Sequence, residues 1–222
     1  MSDSLKLVRQ LREITGAGIL DCKKYLEQTN NNLDDAVKLF RTESGKKAEK
    51  KSSRIAAEGL VNYFENSKCM LILELNSETD FVAKDENFIT LSKSIAEILM
   101  NQDESDNMEA INSIVTESIS KLGENIKLRR YLKIDKNNNL YGYAHNNKIV
   151  SIVELKNPDE KLAKDICMHI VASNPLALDE SSLDEEALKS EKEIYKKELD
   201  KVDKKEDIKR NILDGKMKKF IN

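Results

Sequence analysis

A junction between a buried strand and an amphipathic helix narrows the folds that this sequence can adopt. Met70 to Leu75 is an apolar run of β-favouring residues, the pattern of a buried strand. Apolar side chains then recur at helical spacing from Phe88 to Leu99. The polar segment Asn76 to Thr79 has the composition of a turn. Asp80 and Phe81 therefore lie at a corner between a strand and a helix.

Phe81 has two interpretations at this corner. A structural Phe81 would pack beneath the following helix, since most Phe side chains are buried. A functional Phe81 would be exposed and would anchor a partner protein, because large apolar side chains in loops often hold interfaces together. The residues alone leave both interpretations open.

The composition limits the architecture and the class of partner. The 222 residues are enough for one large domain or for two to three small ones. Charged residues make up 35% and aromatic residues 5%, which indicates several small cores joined by solvated helices. The formal net charge of −3 argues against a nucleic-acid-binding protein that relies on bulk positive charge.

The cysteines and the apolar runs indicate a cytoplasmic protein. Cys22, Cys69 and Cys167 form no metal or disulfide spacing, so we interpret them as reduced, buried side chains. No apolar run approaches the roughly 20 residues that a membrane span needs. No pattern of catalytic side chains, phosphate-binding loop or metal ligands is present in the sequence, so we expect no enzyme activity and no cofactor.

Two motifs carry a resemblance to a known family. The first is Thr79 to Lys84, and the second combines Leu11-Arg12 with the segment Thr15 to Lys24. Both resemble the signatures of bacterial elongation factor Ts, the guanine-nucleotide exchange factor of elongation factor Tu, and they occur in the family's order. The resemblance extends over almost the whole chain.

The N-terminal part contains three short helical patterns between Ser4 and Phe40, and Asn32 is placed to cap the third helix. Ile19 and Leu20 are adjacent, so they cannot both face one core, and we expect one of them at the surface. The charged run that follows is expected to form a solvated helix or linker. The resemblance implies a UBA-like (ubiquitin-associated-type) three-helix module with its linker, at residues 1–51.

The remaining pattern predicts an α+β fold with antiparallel strands. Residues 52–135 read as β-β-α-α-β, with a polar loop from Asn101 to Asn107. Residues 136–178 begin a second strand-strand-helix unit, whose hairpin turn is Asn146-Asn147. The resemblance implies that these are the family's two related core subdomains.

Residues 179–222 are almost entirely charged helix with an apolar stripe, and Asp203 to Lys205 is the expected turn. This segment resembles the coiled-coil-like helical hairpin that projects from the family's core, and it is also a candidate dimerisation surface. Members with such a hairpin usually continue beyond it. We therefore expect a C-terminally short form in which the second core subdomain is incomplete.

The resemblance implies that the chain binds elongation factor Tu in its GDP form. The loop would promote GDP release by perturbing the magnesium and phosphate site. The implied contact residues are Thr79, Asp80, Phe81 and Val82 in the loop, Arg12, Ile19, Leu20 and Lys23 in the first module, and His145 in the second subdomain.

Two alternatives to this function remain. An RNA- or ribosome-associated protein would use the basic residues 46–54 together with Arg129 and Arg130, although surface and sheet roles also suit these two arginines. A generic adaptor would bind its partner through residues 1–50 alone.

Overall fold

A computed structural model describes residues 3–101, 104–136, 139–202 and 204–221. The chain divides into two compact units, Met1–Val171 and Ala172–Asn222. Within these units the helices and strands follow the predicted α+β order, which confirms the fold class. The finer division into four parts stays a prediction.

Three helices form the N-terminal bundle: α1 (Asp3–Thr15), α2 (Ile19–Gln28) and α3 (Leu33–Lys51). The side chain of Asn32 accepts a hydrogen bond from the backbone N–H of Asp35 at 3.2 Å, which confirms the predicted cap. The charged run is therefore largely helical, since α3 continues through it to Lys51. The buried core of the bundle consists of Val8, Leu11, Ala17, Cys22, Tyr25, Leu26, Ala36 and Phe40.

An antiparallel sheet organises the centre of the first unit. Its strands are β1 (Glu58–Glu65), β2 (Cys69–Ser77) and β3 (Lys127–Asp135), in the order β1-β2-β3. One face of β2 is fully buried because Leu71, Leu73 and Leu75 alternate toward the covering helices. Those helices are α5 (Glu86–Asn101) and α6 (Glu104–Leu122).

The predicted polar loop between these two helices is largely wrong. Asn101 belongs to α5, and the segment 104–107 already belongs to α6, while residues 102–103 lie outside the described part. The buried face of α6 begins earlier in the chain than its apolar side chains alone indicate. Asn107, one turn before buried Ile111, is itself buried and continues the same face.

A second hairpin follows, formed by β4 (Leu140–His145) and β5 (Ile149–Glu154). Asn146 and Asn147 both have positive φ, +50° and +54°, as a type I′ turn requires, which confirms the predicted turn. The turn contacts β1, because the backbone N–H of Val61 donates to the carbonyl of Asn147 at 2.7 Å. Helix α7 (Glu160–Ser173) packs on this hairpin, and the hydroxyl of Ser151 donates to the carbonyl of Cys167 at 3.0 Å.

The second unit contains the predicted pair of charged helices, α8 (Glu185–Asp200) and α9 (Glu206–Ile221). Leu199 and Leu213 are buried between them. Lys216 of α9 joins the two helices, since its ammonium lies 2.5 Å from the carboxylate of Glu198 and 4.8 Å from the ring centre of Tyr195. Of the predicted turn, Asp203 lies outside the described residues.

The cysteines agree with their interpretation as buried thiols. Cys22, Cys69 and Cys167 are all free and buried. Burial is the main reason that the pKa of the Cys22 thiol lies above its usual value. Among the described residues, no helix is both long enough and apolar enough to cross a membrane.

Candidate functional site

The corner after β2 contains one additional turn of helix, α4 (Asp80–Ala83). Thr79 has extended backbone angles, and its hydroxyl accepts a hydrogen bond from the N–H of Val82 at 3.4 Å, so it is the N-cap of α4. The sequence pattern predicts only a turn in this segment. A Thr followed by an Asp in the first helical position was the available signal for the helix start.

Phe81 projects from this turn into solvent. Its side chain is 82% exposed, whereas Val82 and Ala83 pack against the central core. The structure therefore rejects the interpretation in which Phe81 is a core residue. A one-turn helix whose neighbouring residues are anchored presents an aromatic ring in a defined position.

A second segment, Gly123 to Asn125, holds this turn in place. The carboxylate of Glu124 accepts two hydrogen bonds from Thr79, one from the hydroxyl at 2.6 Å and one from the backbone N–H at 3.0 Å. The backbone N–H of Asn125 donates to Glu78 at 2.7 Å. Gly123 follows the end of α6 with φ +79°, and this left-handed conformation turns the chain toward Thr79.

Asp80, the residue before Phe81, belongs to a group of charged side chains. The ammonium of Lys84 lies 2.7 Å from the carboxylate of Asp80. This hydrogen bond, together with the charge of Lys84, lowers the pKa of Asp80, so the carboxylate is ionised at neutral pH. The charge of Lys148 acts in the same direction, and Lys148 itself forms an ion pair with Glu58 at 2.9 Å. Asp80, the residue before Phe81, is thus an ionised carboxylate paired with Lys84.

The second hairpin lies beside the same strand as this loop. Helix α4 contacts β1, and the turn residue Asn147 binds Val61 of β1. His145 is exposed at the end of β4, where its Nδ1 lies 3.0 Å from the hydroxyl of Tyr143 and its Nε2 lies 3.2 Å from the amide nitrogen of Asn146. The structure therefore brings the hairpin turn and the loop at Thr79 to Val82 to one strand.

The four sequence-predicted residues of the first module lie on the N-terminal bundle. Arg12 is exposed in the last turn of α1, and Lys23 is exposed with its ammonium 3.9 Å from Glu27. Ile19 and Leu20 are both exposed, at 57% and 83%, so the surface position expected of one of them applies to both. Ile19 is the first residue of α2, and the core contacts of that helix begin one turn later at Cys22.

The basic residues of the RNA hypothesis are largely paired with acidic side chains. Arg129 and Arg130 both bind the carboxylate of Glu74, at 3.2 and 2.6 Å, on the sheet. In the charged run, the ion pairs are Lys46 with Glu43, Lys47 with Asp21, and Arg54 with Glu78. These pairs leave less free positive charge for phosphate groups than the sequence alone indicates.

Comparisons with known proteins agree with both motifs. A family model described as elongation factor TS matches residues 78–222, and one described as a UBA-like domain matches residues 3–47. The chain is 41% identical to elongation factor Ts of Halothermothrix orenii, covering 100% of this chain and 81% of that protein. It is 37% identical to elongation factor Ts of Alkalilimnicola ehrlichii (100% and 80% covered) and 39% identical to that of Legionella pneumophila (99% and 79%). The chain belongs to the elongation factor Ts family.

Proposed function

We propose that this protein binds elongation factor Tu in its GDP form and promotes the release of GDP. The observation that supports this function most directly is Phe81, which is exposed at 82% on a turn held by Glu124. The relatives are named elongation factor Ts, and exchange requires binding rather than a chemical reaction. We further propose that the protein acts in the cytoplasm without direct contact to nucleic acid.

The proposed mechanism is a competition between two binding equilibria. The factor must bind nucleotide-free elongation factor Tu more tightly than the GDP form, and by linkage it then weakens GDP binding by the same ratio. Each tenfold weakening requires about 1.4 kcal/mol of differential contact. Burial of one Phe side chain supplies about 1.5–3 kcal/mol, so Phe81 accounts for one or two of these tenfold steps.

The loop residues have separate roles in this proposal. Phe81 inserts between helices of the partner's G domain near its magnesium site, and the ionised Asp80 fixes the approach. Thr79 caps the turn, and Val82 anchors it in the core. Movement of the partner's helices disturbs the magnesium and phosphate contacts, and GDP dissociates.

The remaining predicted residues supply affinity. Arg12, Ile19, Leu20 and Lys23 bind another face of the same G domain. The hairpin turn with His145 binds a different domain of elongation factor Tu. The hairpin and the loop both contact β1, so both contacts with elongation factor Tu come from the first unit of the chain.

Leu20→Ala is expected to weaken the complex by about 10- to 100-fold, because an exposed Leu buried in an interface supplies about 1.5–3 kcal/mol. The factor concentration that gives half-maximal GDP release should rise by this ratio, with the maximal rate nearly unchanged. Titration of the release rate measures both quantities. The reverse pattern, a lower maximal rate at unchanged half-saturation, would contradict a pure affinity role for Leu20.

The proposed function is tested by the release of a fluorescent GDP analogue from elongation factor Tu. We expect the native chain to accelerate release, with a rate that saturates as its concentration rises. A parallel assay measures binding to nucleotide-free elongation factor Tu. The proposed function is wrong if the chain does not accelerate release, and the binding assay then shows whether it still binds elongation factor Tu.

A further inference from the structure

We infer that Glu124 is a positioning residue for nucleotide exchange, which acts by fixing the turn that carries Phe81. This inference rests on the proposed function and adds to it a residue that makes no contact with the partner in the proposed mechanism. Glu124 lies in the connection between α6 and β3, 45 residues after Thr79 in the sequence. Its carboxylate nevertheless accepts both polar hydrogens of Thr79.

The geometry shows why this position needs a carboxylate. One oxygen accepts from the Thr79 hydroxyl at 2.6 Å and the other accepts from the Thr79 N–H at 3.0 Å. Hydrogen bonds to an ionised acceptor are shorter and stronger than neutral ones, and two of them fix orientation as well as distance. A glutamine would place an NH₂ donor against one of these two donors, so one hydrogen bond would be lost.

The two bonds hold the backbone from which the ring of Phe81 projects. Thr79 is the N-cap of α4, so its position sets the start and the direction of a helix that is only four residues long. A helix of one turn has too few internal hydrogen bonds to hold its own axis. The side chain of Phe81 is exposed, so its own packing contributes little to holding this turn. The position of the turn depends instead on the anchored residues around Phe81.

The segment that carries Glu124 is itself fixed from the N-terminal side. The side-chain amide of Asn125 donates to the backbone carbonyl of Arg54 at 2.7 Å. The ammonium of Lys51 donates to the backbone carbonyl of Gly123. Both partners lie at the end of α3 or directly after it. One connection therefore joins the last turn of the N-terminal bundle to the turn that presents Phe81.

The test compares Glu124→Gln with the native chain in the release assay. We expect the maximal rate of GDP-analogue release to fall about tenfold, while the half-saturating concentration changes less than about twofold. Thr79→Val removes the same contact from the other side, together with the hydrogen bond that the hydroxyl accepts from Val82, and should give at least as large a fall. Glu109→Gln makes the same chemical change at an exposed residue near the start of α6, outside the proposed contact surface, and is the matched control, which should retain the native rate.

A double variant separates positioning from an independent role. If Glu124 acts through the ring, Phe81→Ala combined with Glu124→Gln should be no slower than Phe81→Ala alone. Multiplied losses in the double variant would overturn the inference, and so would a native rate for Glu124→Gln. Urea unfolding of each variant verifies that the chain is folded.

Hydrogen exchange of the free protein provides a readout that does not depend on elongation factor Tu. Glu124→Ala removes both acceptor oxygens and should accelerate amide exchange at Thr79 by about tenfold, with β2 unchanged. Unchanged protection at Thr79 would overturn the inference. If the native chain fails to accelerate GDP release, the proposed function is wrong; if it succeeds and Glu124→Gln is equally fast, only the positioning role is wrong.

Discussion

Replacing Phe81 with alanine is expected to lower the maximal rate of GDP release by about 10- to 100-fold. The side chain is 82% exposed in the free protein, so the change removes no core contact. An aromatic ring that becomes buried in the partner supplies about 1.5–3 kcal/mol, and each 1.4 kcal/mol corresponds to a factor of about ten. The free energy of unfolding should change by less than about 0.5 kcal/mol, as for other exposed substitutions.

Release of a fluorescent GDP analogue from elongation factor Tu measures this effect. Met108→Ala is a matched control, because Met108 is also an exposed apolar residue of the first unit. It lies at the opposite end of α6 from Gly123, about 20 Å away along the helix axis. The control should keep the native rate. A native rate for Phe81→Ala with binding intact would contradict the proposed insertion of Phe81 into the partner's G domain.

Most of the fold could be predicted because it is encoded by local patterns. The central strand was evident from the apolar run at Met70 to Leu75, and the second hairpin from Asn146-Asn147, whose side chains tolerate positive φ. The cap at Asn32 was equally local. In each case the determining interactions lie within a few residues of one another.

The candidate site depended on contacts that are distant in the sequence. Phe81 is exposed because Val82 and Ala83 occupy the core positions of α4, and no periodicity can be measured in a four-residue helix. Glu124 could not be assigned to Thr79, since 45 residues and three helices separate them. No local pattern around Glu124 indicates which residue its carboxylate binds.

The same limit applies to Gly59, whose importance appears only when β1 and β2 are paired. Gly59 has φ +145°, a conformation that residues with a side chain rarely adopt. A Cβ atom there would lie 2.1 Å from the carbonyl oxygen of Leu75 and 2.7 Å from the Cα of Asn76. Both are backbone atoms of the central strand, so they cannot move aside as a flexible side chain would.

Gly59→Ala is therefore expected to lower the free energy of unfolding by about 2–6 kcal/mol, the sum of backbone strain and overpacking. The pairing of β1 with β2 must open next to Ser77, so GDP release should also slow because the turn at Thr79 loses its support.

Gly45→Ala is the matched control. Gly45 lies within α3, where an added Cβ would meet no atom of the described residues within 4 Å, and alanine there should raise stability by about 0.5–1 kcal/mol. Urea unfolding followed by circular dichroism compares the two changes. If both substitutions shift the unfolding midpoint in the same direction, the close approach of β1 to β2 at Gly59 is not what requires glycine.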